Sequence, residues 1–197
     1  MSISNVSSVN GSFTVTDSAG LQKTISFAEL VMSMGMTQLE LQDTYFEEQY
    51  KKVADLAEEM REVNTMIAML TSYKNSFDAD GKVTDNKSKT CSSCAEFSTA
   101  DMKTWKSTYY GNYSQSGKIA DTNGDKSTVG VGSDGIFTHQ ELTTFITNAE
   151  AYQKNLTSLN EQEMMVTNQA ASRRTNVLQQ LQTLLASEKE GRNAAAR

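Results

Sequence analysis

Few residues of this chain are of the kinds that do chemistry, and most of those lie between positions 75 and 141. Cys91-Ser92-Ser93-Cys94 holds both cysteines of the sequence. A structural zinc site takes four Cys or His ligands. With no second cysteine pair and a single histidine, one chain cannot complete such a site. The pair also lacks the βαβ surroundings of a thioredoxin-type centre. Two readings stay open: incidental thiols, or a small-loop disulfide formed after export. Asp121, Asn123 and Asp125, then Asp134 and Glu141, supply oxygen ligands of the sort that hold Ca2+. Asp134, Gly135, Phe137 and Glu141 match positions 5, 6, 8 and 12 of an EF-hand loop. That register puts Gly130 and Gly132 where oxygen ligands belong at positions 1 and 3, and enlisting Asp121 and Asn123 requires an insertion. Gly117 also stands where an entering helix should be. Turn residues and a helix cap explain each of these amino acids, so no metal site and no cofactor are expected. His139 has no nucleophile beside it and no second histidine to work with. The expectation is a protein that is not an enzyme.

The element that must position these residues is the stretch from Thr138 to about Glu190. Thr138-His139-Gln140-Glu141 is a capping box. Leu142, Phe145, Ala149, Tyr152, Leu156, Leu159, Val166, Ala170, Val177 and Leu184 then recur at steps of three and four or their sum, seven, a heptad seam. Gly191 marks its expected stop. A second capping box, Ser26-Phe27-Ala28-Glu29, starts another long helix. Its seam runs through Val53, Leu56, Met60, Val63, Ile67 and Leu70, with Gly35 and a cluster of methionines nearer the start. At about 1.5 Å per residue, both helices span on the order of 70–80 Å. Between them, residues 75–137 change character. Asp78-Ala79-Asp80-Gly81 is turn chemistry, Ser98 caps a short helix carrying Met102, Trp105 and Tyr109, and Val129-Gly130-Val131-Gly132 reads equally as strand or loop.

The chain has 197 residues, no proline, a net charge of −6 and 38% apolar residues. Absence of proline favours unbroken helices. An acidic balance makes nucleic acid an unsuitable partner, and no apolar run is long enough for a membrane span. Half of the first twenty residues are Ser, Thr or Asn, with no basic residue before Lys23. Residues 1–24 therefore read as a disordered terminus, export-signal-like but without the apolar core of a cleaved signal peptide. The expected organisation is mainly α: residues 25–74 and 138–197 form a long antiparallel coiled-coil hairpin, residues 75–137 a small irregular α/β insert, and 25–197 one domain. On the second helix Leu178, Leu181 and Leu185 form a stripe out of phase with Val177 and Leu184. One partner helix covers one stripe, so Val166, Ala170, Val177, Leu178, Leu181, Leu184 and Leu185 are expected to form an assembly interface.

The entry segment Ser133-Asp134-Gly135-Ile136-Phe137-Thr138-His139-Gln140-Glu141-Leu142, and the helix after it rich in Asn148, Asn155, Asn160, Gln162, Asn168, Gln169, Asn176, Gln179, Gln180 and Gln182, resemble the last helix of the EspA-type filament and needle-tip translocator proteins of bacterial type III secretion systems. The order of polar N-terminus, long helix, insert and second long helix is similar too. The charged Glu47–Glu62 half of the first helix, the acidic turns and the C-x-x-C pair depart from that pattern. The resemblance implies a secreted structural protein of the bacterial cell surface, self-assembling into a homo-oligomer or filament. It also implies contacts with the secretion needle subunit, the translocator proteins and a dedicated secretion chaperone. The opposed readings are a non-polymerising helical-hairpin chaperone or adaptor, and a calcium-responsive binding protein.

Overall fold

The computed structural model describes residues 5–9, 12–16, 22–119 and 131–195. Two helices dominate it: α1, Phe27–Ser72, of 46 residues, and α3, His139–Ala195, of 57 residues. Both begin as their sequences predict. The Ser26 N–H donates to the Glu29 carboxylate at 2.8 Å while the Glu29 N–H returns a bond to the Ser26 hydroxyl at 3.2 Å. Thr138 and Glu141 repeat the exchange at 2.7 and 3.3 Å. Each reciprocal pair satisfies two of the N–H groups that a helix start leaves free. The α1 ladder tightens into a 3-10 turn over Tyr73–Ser76. The expected stop of α3 at Gly191 is corrected, because the helix runs on to Ala195. Glycine costs about 1 kcal/mol against alanine in a helix, and the alanines that follow are strong helix formers.

The N-terminus is also corrected. In place of disorder over 1–24, strands β1 (Asn5–Val9), β2 (Ser12–Thr16) and β3 (Gln22–Ile25) form an antiparallel meander in the order β1-β2-β3. Polar composition hid a strand pattern: Phe13-Thr14-Val15-Thr16 alternates apolar with β-branched polar residues, the pairing preference of a sheet. The register sets Val6 opposite Val15 and Phe13 opposite Ile25.

Contacts within the chain divide it into two compact units, Met1–Val53 with Gln162–Arg197, and Ala54–Glu161, where one domain was expected. Each long helix gives one half to each unit. The second unit contains the insert and the main core. There β4 (Ala95–Glu96) pairs antiparallel with β5 (Ile136–Phe137), setting Ala95 opposite Phe137. Ser98 caps α2 (Thr99–Thr104), its hydroxyl accepting from the Asp101 N–H at 3.2 Å. The helix then widens into i→i+5 bonding over Trp105–Gln115. Val63, Met66 and Leu70 of α1 close a core with Trp105, Tyr109, Tyr113, Phe137, Leu142 and Phe145. Met66 is fully buried beside the anticipated seam positions Val63 and Leu70. Of the undecided stretch 129–132, residues 129 and 130 lie outside the described residues; Val131 is buried without joining a strand.

In the first unit, Leu30, Ala170, Val177 and Leu181 are buried. The Arg174 guanidinium pairs with the Asp43 carboxylate. Leu181 lies against Gly35 so closely that a Cβ there would overlap the leucine's Cδ2. Replacing Gly35 by Leu should therefore destabilise the chain by about 1–3 kcal/mol, as overpacking does. Leu181→Ala should cost less in that background than in the wild type. Urea melts of the four proteins measure the coupling, and strictly additive effects would disprove the contact.

Candidate interaction surface

Chemistry in the first unit is that of apolar side chains left in water. The α1 half presents Met34, Met36, Leu41, Tyr45 and Tyr50, with Leu41 66% and Tyr50 63% exposed. The α3 half presents Met164, Met165, Leu184 and Leu185, with Met165 58% and Leu185 47% exposed. Scattered single apolar residues on a surface are ordinary; here nine large ones stand exposed over residues 34–50 and 164–185. The seven positions expected to form an assembly interface divide. Leu184 and Leu185 are exposed, Val166 and Leu178 are half-buried, and Ala170, Val177 and Leu181 are buried. For those last three the expectation is corrected: they are interior to the unit, Leu181 because the missing side chain at Gly35 leaves a notch for it. Sequence reasoning passed over the exposed methionines and tyrosines by assigning methionine to core filling. Their signal was position: Met34, Leu41 and Tyr45 recur at steps of seven and four, out of phase with the seam through Val53 and Leu56.

The second unit carries an open groove between α1 and the helix end after Tyr109, lined by Asp55, Glu58, Glu59 and Glu62 on one side and Asn112, Tyr113, Ser116 and Lys118 on the other. Hydroxyl–carboxylate bonds fasten it. The Tyr113 hydroxyl donates to Glu62 at 2.8 Å, the Tyr152 hydroxyl donates to Glu59 at 2.7 Å, and the Lys118 ammonium donates to Glu59 at 2.5 Å. Lys118 also stands over the Tyr113 ring, 5.6 Å from its centroid. Burial raises the pKa of both tyrosines, and the carboxylates they donate to raise it further. For Glu59, burial acts upward, but the Lys118 and Tyr152 hydrogen bonds and the Lys118 charge together outweigh it, and the carboxyl sits below its ordinary value. Sequence alone gave no sign of this network, since its partners are as many as 93 positions apart.

Among the described residues singled out for chemistry, several make local structural contacts. Glu141 caps α3, and the Asp134 carboxylate accepts from the Ile136 N–H at 3.3 Å across a turn in which Gly135 takes φ 67°. Asp121, Asn123 and Asp125 lie outside the described residues. Among the described residues no three His, Cys, Asp or Glu side chains gather to hold a metal ion. His139 packs edge-on to Phe77, ring centroids 5.4 Å apart, with Gly81 next to its ring. Cys91 and Cys94 are joined as a disulfide, Cα atoms 5.3 Å apart.

Glu59 makes the stability of the second unit pH-dependent with a definite sign. A carboxyl whose folded pKa is depressed contributes stability that is present above its unfolded value, here 4.5, and lost as pH falls through the folded value. Lys118→Met should reduce stability at neutral pH, and the difference from wild type should shrink toward zero below about pH 4. Denaturant midpoints taken across that range decide it; a difference that stays constant with pH would refute the assignment.

Comparison with known proteins brings no match: no protein-family model, no curated protein and no solved structure matches this chain.

Proposed function

We propose that this chain is a secreted, non-enzymatic structural subunit of the filament or needle-tip kind found in type III secretion, and that it assembles through the helical pair of its first unit. The observation that carries this reading is the set of nine large apolar side chains that stand exposed on the two helices of that unit. Complete burial of such a side chain is worth roughly 1.5–3 kcal/mol, and each here is about half exposed. The nine together then offer on the order of 7–13 kcal/mol, comparable with the association cost of about 4–15 kcal/mol. With so narrow a margin, a repeating contact that covers each copy on two sides is favoured over a single pair.

On this reading the two helices are an antiparallel pair. Supporting it in the first unit, Gly35 meets Leu181 while Asp43 meets Arg174. In the second, Glu59 meets Tyr152 while Tyr73 meets Phe137. None of the described helices is long and apolar enough to cross a membrane. Partners are other copies, the needle subunit, translocator proteins and a chaperone that shields the apolar band before export.

Sedimentation of the purified chain at rising concentration, with negative-stain micrographs of the same samples, tests assembly. Large species should form for the wild type, and Leu184→Asp with Leu185→Asp should abolish them without loss of helicity by circular dichroism. A wild type that stays monomeric throughout would refute the reading. Export is tested separately in a strain with a working type III apparatus. Deleting residues 2–20 should stop the protein reaching the medium and leave the helices intact, whereas continued secretion would refute an N-terminal signal.

A further inference from the structure

We infer that Cys91–Cys94 is a thiol–disulfide exchange site whose oxidation state sets how firmly the insert is held at the entry to α3. This goes beyond the assembly reading and does not rest on it. The disulfide closes the turn of a small hairpin. Lys87 bridges to Ala95, the Ser88 N–H donates to the Cys94 carbonyl at 2.9 Å, and the Glu96 N–H donates to the Asn86 carbonyl at 2.8 Å. The segment leading out of Cys94 is bonded on its other edge as well: Ala95 pairs with Phe137, and the Phe97 N–H donates to the Gly135 carbonyl at 3.0 Å. Ala95, Phe97 and Phe137 are all buried. A central strand of two residues is thus secured by few hydrogen bonds, and the covalent link one residue before it limits the conformations open to the hairpin turn.

The two sulfurs differ in access. Cys94 is 7% exposed while Cys91 is partly open to solvent. A thiolate of a small dithiol reductant therefore attacks Cys91 Sγ, forming a mixed disulfide there and expelling Cys94 as thiolate. The reductant's second thiolate then attacks its own sulfur of that mixed disulfide, releasing Cys91 as thiolate and leaving the reductant oxidised as a cyclic disulfide. Together the two steps move one electron pair from the dithiol to the protein disulfide, and the two cysteine thiolates take up protons from water. The reverse sequence, with a small-molecule disulfide as oxidant, closes the latch.

The test uses the full chain, oxidised and after dithiothreitol. Maleimide should label neither cysteine in the oxidised protein and both after reduction. Amide exchange at Ser88, Glu96 and Phe97 should rise about tenfold on reduction, and the melting temperature should fall by about 4–8 °C. Exchange across Val63–Leu70 should not change. Cys91→Ser with Cys94→Ser should match the reduced protein and ignore dithiothreitol. With single variants, the Cys94→Ser chain, which keeps Cys91, should form a mixed disulfide with oxidised glutathione about tenfold faster than the Cys91→Ser chain. The inference is overturned by free cysteines in an oxidising buffer, by equal exchange in the two redox states, by a rise of the same size across Val63–Leu70, or by equal rates for the single variants.

Discussion

Trp105 is the point on which the second unit turns. Its indole is fully buried, and the ring N–H, which could not be left unsatisfied there, donates to the Gly132 carbonyl at 3.0 Å. The same ring packs against Phe97 and Phe145, with centroids 5.6 and 5.5 Å away. One side chain therefore joins the helix after α2, the loop into β5, the residue after β4 and the first turns of α3. Aromatic contacts spread from it through Phe97 to Tyr73 and Phe137. The Tyr73 hydroxyl, donating to Asp101 at 2.6 Å and accepting from the Ser98 N–H at 2.9 Å, ties that cluster to the N-cap of α2. Burial and the Asp101 carboxylate raise its pKa, and it stays a donor. With such a core, the described residues of the insert pack against the end of α1 and the start of α3.

Among the described residues of the first unit, fewer large side chains are buried. Its interior is a narrow seam of Ala170, Val177 and Leu181 against α1, with Gln49 buried as well and the side-chain oxygen of Gln42 enclosed without a hydrogen-bond partner. Buried polar groups in a seam cost stability and are used to fix register. Small residues, Gly35 and Ala170, bring what apolar surface there is into close contact. Met34, Met36, Leu41, Tyr45, Tyr50, Met164, Met165, Leu184 and Leu185 stand in water on the two helices of that unit. The two halves of the same helices thus differ: one contributes to the aromatic core, and the other carries most of the exposed large apolar side chains.

What was legible in the sequence follows from the range of the interaction. Capping is local, and Ser26 with Glu29, Ser98 with Asp101, and Thr138 with Glu141 all form where their spacing placed them. Heptad spacing gave Val63, Leu70, Leu142, Phe145 and Ala149, each buried. It could not tell which side of a stripe a partner covers, so Leu181 was assigned outward although Gly35, 146 positions away, receives it. Leu159, equally well placed on the seam, is 47% exposed. Composition misled at the N-terminus, where abundant Ser and Thr concealed three strands, of which only β2 alternates apolar with polar residues. Tyr113 with Glu62 and Tyr152 with Glu59 became visible only once the chain was folded.

The central claim is that the first unit is completed by other copies while the second is complete by itself. Amide hydrogen exchange read residue by residue in dilute and in concentrated solution tests it most directly. Protection over residues 34–50 and 164–190 should rise with concentration, and protection of Val63–Leu70 and Leu142–Ala149 should stay constant. Protection of the first unit that equals that of the second and does not depend on concentration would contradict the account.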